Sequence, residues 1–425
     1  MFSSHSRPPR YSAFNLLRHA LTGNRHWSRA WRNAAPKDGY DVIIIGGGGH
    51  GLATAYYLAK LHGAKRIAVV EKGWIGGGNT GRNTTIVRSD YLLEENSRLY
   101  ECSLQLWEQL SDELNFNVMF SQRGTVLLAH NEAQLAGVAQ LGNAMRLRGI
   151  DAELLSREEL REFVPVLDCS SATRWPVVGG LLQPRGGTAR HDAVAWGFAR
   201  AADALGVDIL ENCEVTGIGT RAGRVTGVQT SRGWIGADKV GIAVAGHTSQ
   251  VAAMAGLRLP IETHLLQAMV TEPVKPVLDT VIMAGAYDGY VSQTDKGEII
   301  MGAELDMYPS YSQRGNLPRI EKIARYTLSL FPSFGKLRMM RCWAGINDMT
   351  MDGSPIIGTT PVHGLFVNGG WCYGGFKATP GSGYLFADLL ASGKPNDILE
   401  PFALARFDNG RYIDEAGTGP VPFRH

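Results

Sequence analysis

The densest group of residues that could do chemistry is the glycine-rich turn over residues 46–51, which follows a run of β-branched residues. Gly46 allows a tight turn, Gly48 lets the backbone approach a pyrophosphate, and Gly51 lets a helix pack closely on a strand. Glu71 follows a second apolar run, where its carboxylate can accept hydrogen bonds from a ribose diol. The spacing predicts a dinucleotide-binding site; the alternative is a glycine turn that binds nothing.

Three elements must position these residues. Residues 41–45 predict a strand, residues 52–61 a helix and residues 65–71 a second strand. Together they form a complete βαβ unit. The N-terminus of the helix would face the phosphates, because its free N–H groups and its dipole favour negative charge.

Composition narrows the protein class. The chain has 425 residues, with 44% hydrophobic and 19% charged residues, which is ordinary for a soluble globular protein. Its formal net charge of +2 gives no reason to expect nucleic acid or membrane partners. Its five cysteines contain no CxxC pair, so neither a disulfide framework nor a zinc site is expected, and no metal is predicted. Free thiols favour a cytoplasmic location. No apolar run is long enough to span a membrane.

The first 38 residues form a separate, basic segment. Arginine and histidine are frequent there and no acid precedes Asp38. We expect an arm that lies on a partner subunit or on the protein's own surface, with Trp27 and Trp31 on one face of a helical turn as anchors. A transit peptide or a frayed tail are the alternatives.

The remaining chain predicts a series of helices and strands. Helices are expected at 92–113, 132–148, 156–163, 193–205 (with Asp192 as N-cap and Gly206 as terminator), 320–330 and 379–390. Strands are expected at 124–129, 208–210, 214–218, 225–230, 239–245 and 365–367, and short β-rich runs at 269–271, 290–293 and 298–301.

A strand and a glycine-rich helix start near residue 370 imply that the nucleotide domain is discontinuous. We predict an α/β fold: a Rossmann-type dinucleotide-binding domain of discontinuous segments plus an α+β substrate domain with a mainly antiparallel sheet. The predicted ranges are a basic arm at 1–38, the dinucleotide-binding domain at 39–92, 176–259 and 340–400, the substrate or interface domain at 93–175 and 260–339, and a tail at 401–425.

The motifs resemble the D-amino-acid-oxidase-type FAD oxidoreductase family over residues 40–425. The resemblance rests on the first glycine turn with Glu71, the strand and loop at 243–246, the run at 343–346, the run at 352–358, and the glycines at 369–370 with 379–381. Within that family, residues 46–59, 71–88, 121–130, 190–200 and 374–383 are most similar to the β subunits of heterotetrameric sarcosine oxidases.

The resemblance implies a noncovalent FAD and an FMN attached covalently through His191. It implies oxidative N-demethylation of sarcosine by hydride transfer to FAD, followed by electron transfer to FMN and oxygen, with hydrogen peroxide as a product. Glycine would form together with formaldehyde or methylene-tetrahydrofolate. The implied partners are α, γ and δ subunits in a heterotetramer. The alternatives are an amine or opine dehydrogenase subunit of the same fold, or a non-catalytic electron-transfer or assembly subunit.

The resemblance also implies site residues. Arg88 and Lys377 correspond to groups that fix the substrate carboxylate, and Lys377 would also place positive charge beside the reduced flavin. Ile299 or Ile300 stands where monomeric relatives carry a lysine that promotes oxygen reaction at FAD, which suggests that FAD here reacts poorly with oxygen. Tyr373 and Trp343 would flank the flavin or belong to the core. The expected cofactor-binding residues are Gly46, Gly48, Gly49, His50, Gly51, Glu71, Lys72, Asn79, Thr80, Arg82, Asn83, Thr84, His191, Val215, Gly375 and Lys377.

Overall fold

The structure is a computed structural model that describes residues 13–25, 29–285 and 289–415. Its helices are α1 (Ala13–Leu21), α2 (Gly49–His62), α3 (Glu94–Glu113), α4 (Glu132–Leu147), α5 (Arg157–Phe163), α6 (His191–Ala204), α7 (Thr248–Ala253), α8 (Leu317–Leu330) and α9 (Thr379–Ser392). Its strands are β1 (Gly39–Ile45), β2 (Ile67–Val70), β3 (Ile86–Val87), β4 (Thr125–Ala129), β5 (Glu153–Ser156), β6 (Gly179–Gln183), β7 (Gly187–Thr188), β8 (Asp208–Leu210), β9 (Val215–Arg221), β10 (Arg224–Thr230), β11 (Gly233–Ile242), β12 (Ile261–Pro273), β13 (Val281–Ala284), β14 (Gly289–Gln293), β15 (Glu298–Pro309), β16 (Met339–Thr350), β17 (Ile356–Thr359) and β18 (Leu365–Gly369).

The first sheet is built around β1. Its strand order is β17-β18-β11-β1-β2-β8, and the β9–β10 hairpin extends it from β11. The strands from β18 to β8 run parallel, while β17 is antiparallel. Alternation along β1 buries both faces: Val42 and Ile44 pack into the helical core of α2, α3, α6 and α9, whereas Ile43 and Ile45 pack into the opposite core.

The second sheet also has eight strands and is mostly antiparallel, with the order β16-β12-β15-β14-β13-β4-β6-β5. Its single parallel pair is β4 with β13. Helix α8 packs its apolar side on this sheet through Ile323, Tyr326 and Leu330, which are buried in a third core. The predicted fold class is confirmed: a doubly wound α/β sheet stands beside an α+β layer.

The two sheets depart from the predicted domain ranges at two strands. Strand β6 pairs with β4 and β5, and β16 pairs with β12, so both belong to the second sheet, although their residues fall in ranges predicted for the dinucleotide-binding domain. Helix α3 also departs, since it packs on α9 and joins the core of the first sheet. The predicted tail contributes Arg406, which forms a buried ion pair with Asp352.

Two local predictions are corrected. Asp192 is not a helix cap, because α6 already begins at His191 and Arg190 is the N-cap; the Asp192 carboxylate pairs with Arg190 instead, at 2.6 Å. The short β-rich runs at 269–271 and 298–301 are segments of strands of 13 and 12 residues. Short stretches of sequence do not predict strands of this length, because the pattern of buried and exposed residues changes along each strand.

The end of the basic arm lies on the protein's own surface. Trp31 donates a hydrogen bond to Glu211 at 3.2 Å, Arg32 pairs with Asp203 at 2.8 Å, and Lys37 lies 2.6 Å from the buried Asp208. Trp27 lies outside the described residues. Helix α1 buries none of its residues. Within the described ranges, no helix is both long and apolar enough to cross a membrane.

Candidate active site

A cavity of about 680 Å³ opens between the two sheets. On one side it is lined by the carboxyl ends of β1, β2, β11 and β18, and on the other by residues of β4, β12, β13, β14 and β16. The carboxyl edge of a parallel sheet is where doubly wound folds bind their ligands. The cavity therefore occupies the position that the sequence predicts for a cofactor.

The glycine turn at the end of β1 has no room for side chains. Gly46 has a φ of +113°, and a Cβ there would lie 2.2 Å from the Ala243 carbonyl oxygen. A Cβ on Gly51 would lie 2.0 Å from the Gly46 carbonyl oxygen. Gly48 caps α2 in an extended conformation. The first N–H groups of this 14-residue helix thus face the cavity, as pyrophosphate binding requires.

Glu71 is fixed by the backbone on both sides of the turn. One carboxylate oxygen accepts from Gly47 N and the other from Gly73 N, each at 2.8 Å. Each oxygen keeps a lone pair for a further donor, and the side chain lines the cavity. Lys72 and Val215 lie beside it along the cavity wall. This geometry suits a ribose diol at that end.

His247 belongs to the same end of the cavity, although it is not among the site residues predicted from the sequence. Its Nε2 lies 3.1 Å from Lys72 Nζ, its Nδ1 lies 2.8 Å from Gln250 Oε1, and its ring stacks on Tyr311. Burial lowers its pKa, so the imidazole is neutral at neutral pH. No motif spacing could have indicated this contact, because His247 is distant from Lys72 in the sequence.

The loop between β2 and β3 lines the middle of the cavity through Asn79, Thr80, Arg82, Asn83 and Thr84. Several of these side chains hold the loop itself. The Asn79 side chain bridges to the backbone of Ile346, accepting from its N–H at 3.0 Å, and Thr80 Oγ1 accepts from Gly49 N at 3.0 Å. Arg82 donates to Gly77 and Gly78 carbonyls.

Arg82 also anchors an aromatic residue that lies outside the cavity wall. Trp343 Nε1 donates to the Arg82 carbonyl at 2.7 Å, and Trp343 is not among the lining residues, whereas Tyr373 is. These contacts make the loop a rigid wall between the glycine turn and β16.

Arg88 and Lys377 converge at the far end of the cavity, although 289 positions separate them (377 − 88). The two-stranded β3–β7 sheet places Arg88, and the short 3₁₀ turn before α9 places Lys377. The Arg88 guanidinium pairs with Asp90, and Lys377 Nζ donates to the Tyr91 hydroxyl at 3.1 Å. The predicted pair of cations is thus brought together in one buried site.

Two stacked tyrosines separate and support these cations. The rings of Tyr91 and Tyr100 lie 4.0 Å apart and nearly parallel, and the Arg88 guanidinium lies 5.2 Å from the Tyr91 ring centre. Burial, and then the positive charge of Arg88, lower the pKa of Lys377 well below its ordinary value. An entering carboxylate would reverse part of that shift by stabilising the ammonium form.

Asp348 is a buried acid in the cavity wall that the sequence did not single out. Its Oδ2 accepts from Gly370 N at 2.5 Å, and the chain around it is closed by Cys372 N donating to the Asp348 carbonyl at 3.0 Å. Burial raises its pKa to about 6. A lone aspartate in a β-rich run carries no spacing signal, so only the fold reveals it.

Gly51 and His191 are the predicted site residues that do not line the cavity. Gly51 acts through helix packing, as its close approach to Gly46 shows. His191 is the first residue of α6 and is half-buried. Burial lowers the pKa of its imidazole; the Asp192 carboxylate opposes this shift, and the positive charges of Arg190 and Arg341 add to it.

Comparison with known proteins agrees with this geometry. A family model described as FAD dependent oxidoreductase matches residues 41–389. The chain belongs to the FAD-dependent oxidoreductase family. It is 57% identical to the sarcosine oxidase subunit beta of Rhizobium meliloti (strain 1021) over 416 residues, which cover 98% of this chain and 100% of that protein. The predicted resemblance is therefore confirmed.

Two further comparisons extend this result. The sarcosine oxidase subunit beta of Rhodobacter capsulatus is 51% identical over 412 residues, covering 97% of this chain and 99% of that protein. The crystal structure of L-proline dehydrogenase from P. horikoshii superimposes with a TM-score of 0.83 at 29% identity, covering 88% of this chain and 99% of that one. As a member of this flavoprotein family, the chain has its cavity where FAD binding is expected.

Proposed function

We propose that this chain is the β subunit of a sarcosine oxidase and that its cavity carries out the oxidative N-demethylation of sarcosine. The observation that carries the proposal is the convergence of Arg88 and Lys377 at one end of a cavity whose other end is the dinucleotide turn. The high identity to two proteins named sarcosine oxidase subunit beta supports the choice of substrate. The products would be glycine, formaldehyde or methylene-tetrahydrofolate, and hydrogen peroxide.

The cavity fits FAD. A side chain at Gly46 or Gly51 would collide with backbone, so glycine at these positions lets the turn and the start of α2 take this shape at the cavity, and Glu71 has lone pairs left for a ribose. Lys72, Val215 and the loop at 79–84 complete the wall. When bound, FAD supplies the acceptor for a hydride equivalent from the substrate N-methyl group.

Arg88 and Lys377 would bind the substrate carboxylate. A guanidinium can hold a carboxylate through two parallel hydrogen bonds, and the ammonium of Lys377 adds a second positive charge. Asp90 neutralises part of the charge of Arg88. The site is therefore only moderately cationic, which would allow the substrate to dissociate. Lys377 and Asp90 are buried and the Arg88 side chain is 19% exposed, so charged contacts here are stronger than they would be in water.

We also propose that FMN is attached covalently to His191. Attachment requires a neutral imidazole as nucleophile, and the lowered pKa of His191 favours that form at neutral pH. Because His191 does not line the FAD cavity, a second flavin there would not compete for it. Its half-exposed position suits an interface with α, γ and δ subunits in a heterotetramer. All five cysteines are free, which favours a cytoplasmic location.

The experiment uses the assembled enzyme, obtained by co-expression of this chain with its neighbouring subunits. The complex is mixed with sarcosine without oxygen, and bleaching of the flavin absorbance is recorded. Acid precipitation then separates released FAD from flavin that stays on this chain. Bleaching by sarcosine supports the reaction, and a flavin-bearing peptide that contains His191 supports the FMN site. A complex that sarcosine does not bleach would leave the chain an electron-transfer or assembly subunit.

The second candidate is an amine or opine dehydrogenase of the same fold. The close superposition on an L-proline dehydrogenase favours it. Both proposals use Arg88 and Lys377 for the carboxylate, so they differ only in the amine. Bleaching rates with sarcosine, L-proline and an N-carboxyalkyl amino acid separate them: faster bleaching by proline or by the opine would replace sarcosine as the substrate.

A further inference from the structure

His50 lies at the start of the phosphate-facing helix α2, yet its side chain contacts a different part of the molecule. Its Nε2 lies 2.8 Å from the carbonyl oxygen of Gly375, and its Nδ1 lies 2.7 Å from Ser382 Oγ. Gly375 stands two residues before Lys377, in the segment that closes the cavity. His50 therefore joins the glycine turn to the loop that carries a substrate-binding lysine.

The hydrogen bonds around His50 define one tautomer. A carbonyl only accepts, so Nε2 carries the proton and Nδ1 must accept from the Ser382 hydroxyl. Ser382 Oγ in turn accepts from Asn368 Nδ2 at 2.8 Å, and Asn368 Oδ1 accepts from Trp371 Nε1 at 2.8 Å. Each donor is used once, and the chain of hydrogen bonds has a single direction.

Aromatic contact and burial close this arrangement into a ring. The imidazole lies 4.6 Å from the Trp371 ring, and Ser382, Asn368 and Trp371 are all buried. Burial lowers the pKa of His50 to about 4, so it remains neutral under ordinary conditions. A buried polar network whose members are all satisfied is rigid, because any rearrangement leaves a donor or acceptor unpaired.

The loop that His50 contacts is held from two helices, α2 and α3. Gly374 and Gly375 have no side chains to pack, and Gly374 tolerates none, because a Cβ there would lie 1.7 Å from the Tyr100 hydroxyl oxygen. On the α3 side, the Lys377 carbonyl accepts from Ser103 Oγ at 2.8 Å and from Trp107 Nε1 at 2.7 Å. His50 is the corresponding tether on the α2 side.

We propose that His50 is a positioning residue that couples the glycine turn to the placement of Lys377, and thereby sets the affinity of the carboxylate site. This role rests on the proposed function only in assigning the carboxylate to Lys377. The imidazole of His50 contacts Gly375 and Ser382, whereas the glycine turn beside it would hold the cofactor phosphates. Loss of the imidazole contact should accordingly weaken carboxylate binding while FAD remains bound.

The test compares two substitutions at His50 in the assembled enzyme. His50→Phe keeps a ring against Trp371 but loses both hydrogen bonds, whereas His50→Gln offers an amide N–H to the Gly375 carbonyl. Three quantities are measured: FAD content, the dissociation constant of acetate from its perturbation of the flavin spectrum, and KM and kcat for sarcosine. Acetate carries a carboxylate but no amine, so its binding does not depend on the reaction.

We expect His50→Phe to retain FAD and to weaken acetate binding about tenfold, because of the two lost hydrogen bonds the one to the Gly375 carbonyl holds the loop. KM for sarcosine should rise by a similar factor with a smaller change in kcat, and His50→Gln should recover most of the affinity. The matched control is His130→Phe, which removes a buried histidine whose Nδ1 lies 2.9 Å from the Trp175 carbonyl, away from the cavity. It should leave acetate binding unchanged.

Three results would overturn the role of His50. Unchanged acetate affinity in His50→Phe would show that the loop is positioned without it. Equal losses in His50→Phe and His50→Gln would show that a donor to the Gly375 carbonyl does not restore the site, which contradicts the role given to this hydrogen bond. Loss of FAD from His50→Phe would make His50 a cofactor-retention residue. A wild-type complex that binds acetate but does not oxidise sarcosine would instead contradict the proposed function alone.

Discussion

The carboxylate site combines two cations with one acid in a buried space. Arg88 is paired with Asp90, whose side chain is only 4% exposed, and Lys377 is held by Tyr91. Removing one partner of a buried ion pair leaves the other charge without compensation, and this usually costs more than the pair itself contributes. A substitution at Arg88 therefore affects both folding and binding, and the two effects must be separated.

We predict that Arg88→Ala weakens sarcosine binding at least tenfold while FAD remains bound. The same change should lower the free energy of unfolding by about 3 kcal/mol, because the Asp90 carboxylate is left buried and unpaired. The double variant Arg88→Ala with Asp90→Asn should recover much of the stability but none of the binding. Titration of the flavin spectrum with sarcosine and urea unfolding measure the two quantities. Wild-type affinity in either variant would remove Arg88 from the site.

His191 makes a second prediction at the scale of a single side chain. His191→Asn should abolish covalent flavin, because the amide cannot act as the nucleophile, while the unfolding midpoint changes little at this half-exposed helix start. The mass of the denatured chain measures attachment directly. His247→Asn is the matched control, since His247 is also neutral but lies in the FAD cavity. Covalent flavin that survives in His191→Asn would point to another anchor.

At the scale of elements, the βαβ unit was predictable because every part of it is local. The strand, the glycine turn, the helix and the acid lie within residues 39–71, and the structure confirms the two strands and the helix there. The glycines are required by contacts within the same unit, such as that between Gly51 and Gly46. Hydrophobic periodicity and turn chemistry are sufficient for such a unit.

The elements that could not be predicted from the sequence depend on pairing with strands that are distant in the chain. Strand β16 pairs with β12 over most of its length, from Thr350 with Ile261 to Met339 with Thr271, so its extent is set by a strand far away in the sequence. Asp348 reaches the cavity through this pairing, whereas Trp371 follows β18 and His247 follows β11, strands that also pair with distant parts of the chain. Arg88 and Lys377 were found through family resemblance, since no local pattern joins them.

Helix α2 packs closely against the glycine turn at the end of β1, so a side chain added at Gly51 should separate them. Gly51→Ala should abolish FAD binding and reduce stability by about 3 kcal/mol or more, because its Cβ would lie 2.0 Å from the Gly46 carbonyl oxygen and force the helix from the strand. Gly137→Ala in α4 is the control: nothing lies within 4 Å of a Cβ there. That control should gain about 0.5 kcal/mol from helix propensity. An alanine at residue 51 that keeps FAD would mean that the helix can shift.

At the scale of the whole molecule, stability depends on pH through buried groups on both sides of the cavity. His50 has its pKa lowered to about 4 by burial, so the unfolded chain binds a proton that the folded chain does not as the pH falls below about 6.5. The contribution of His50 to the free energy of unfolding therefore falls as the pH is lowered. Burial also lowers the pKa values of His130, His191 and His247, which act with the same sign.

Asp348 acts with the opposite sign. Burial raises its pKa to about 6, above the ordinary value of 3.8, so the folded chain keeps a proton that the unfolded chain has lost between these values. Its contribution to stability improves as the pH falls through about 6. The effects of His50 and Asp348 overlap between pH 4 and 6 and partly cancel, so the wild-type profile is flatter than that of either group alone.

Separating the two groups by substitution gives the last prediction. The wild type should lose about 2 kcal/mol more free energy of unfolding than His50→Phe when the pH is lowered from 7.5 to 5. The reason is that the variant no longer has a histidine whose protonation favours unfolding. Asp348→Asn should behave in the reverse sense, losing about 1 kcal/mol relative to the wild type over the same change. Urea unfolding at both pH values measures both differences. Differences that do not vary with pH would show that the pKa values of His50 and Asp348 are the same in the folded and unfolded states. Both side chains would then be accessible to water in the folded protein.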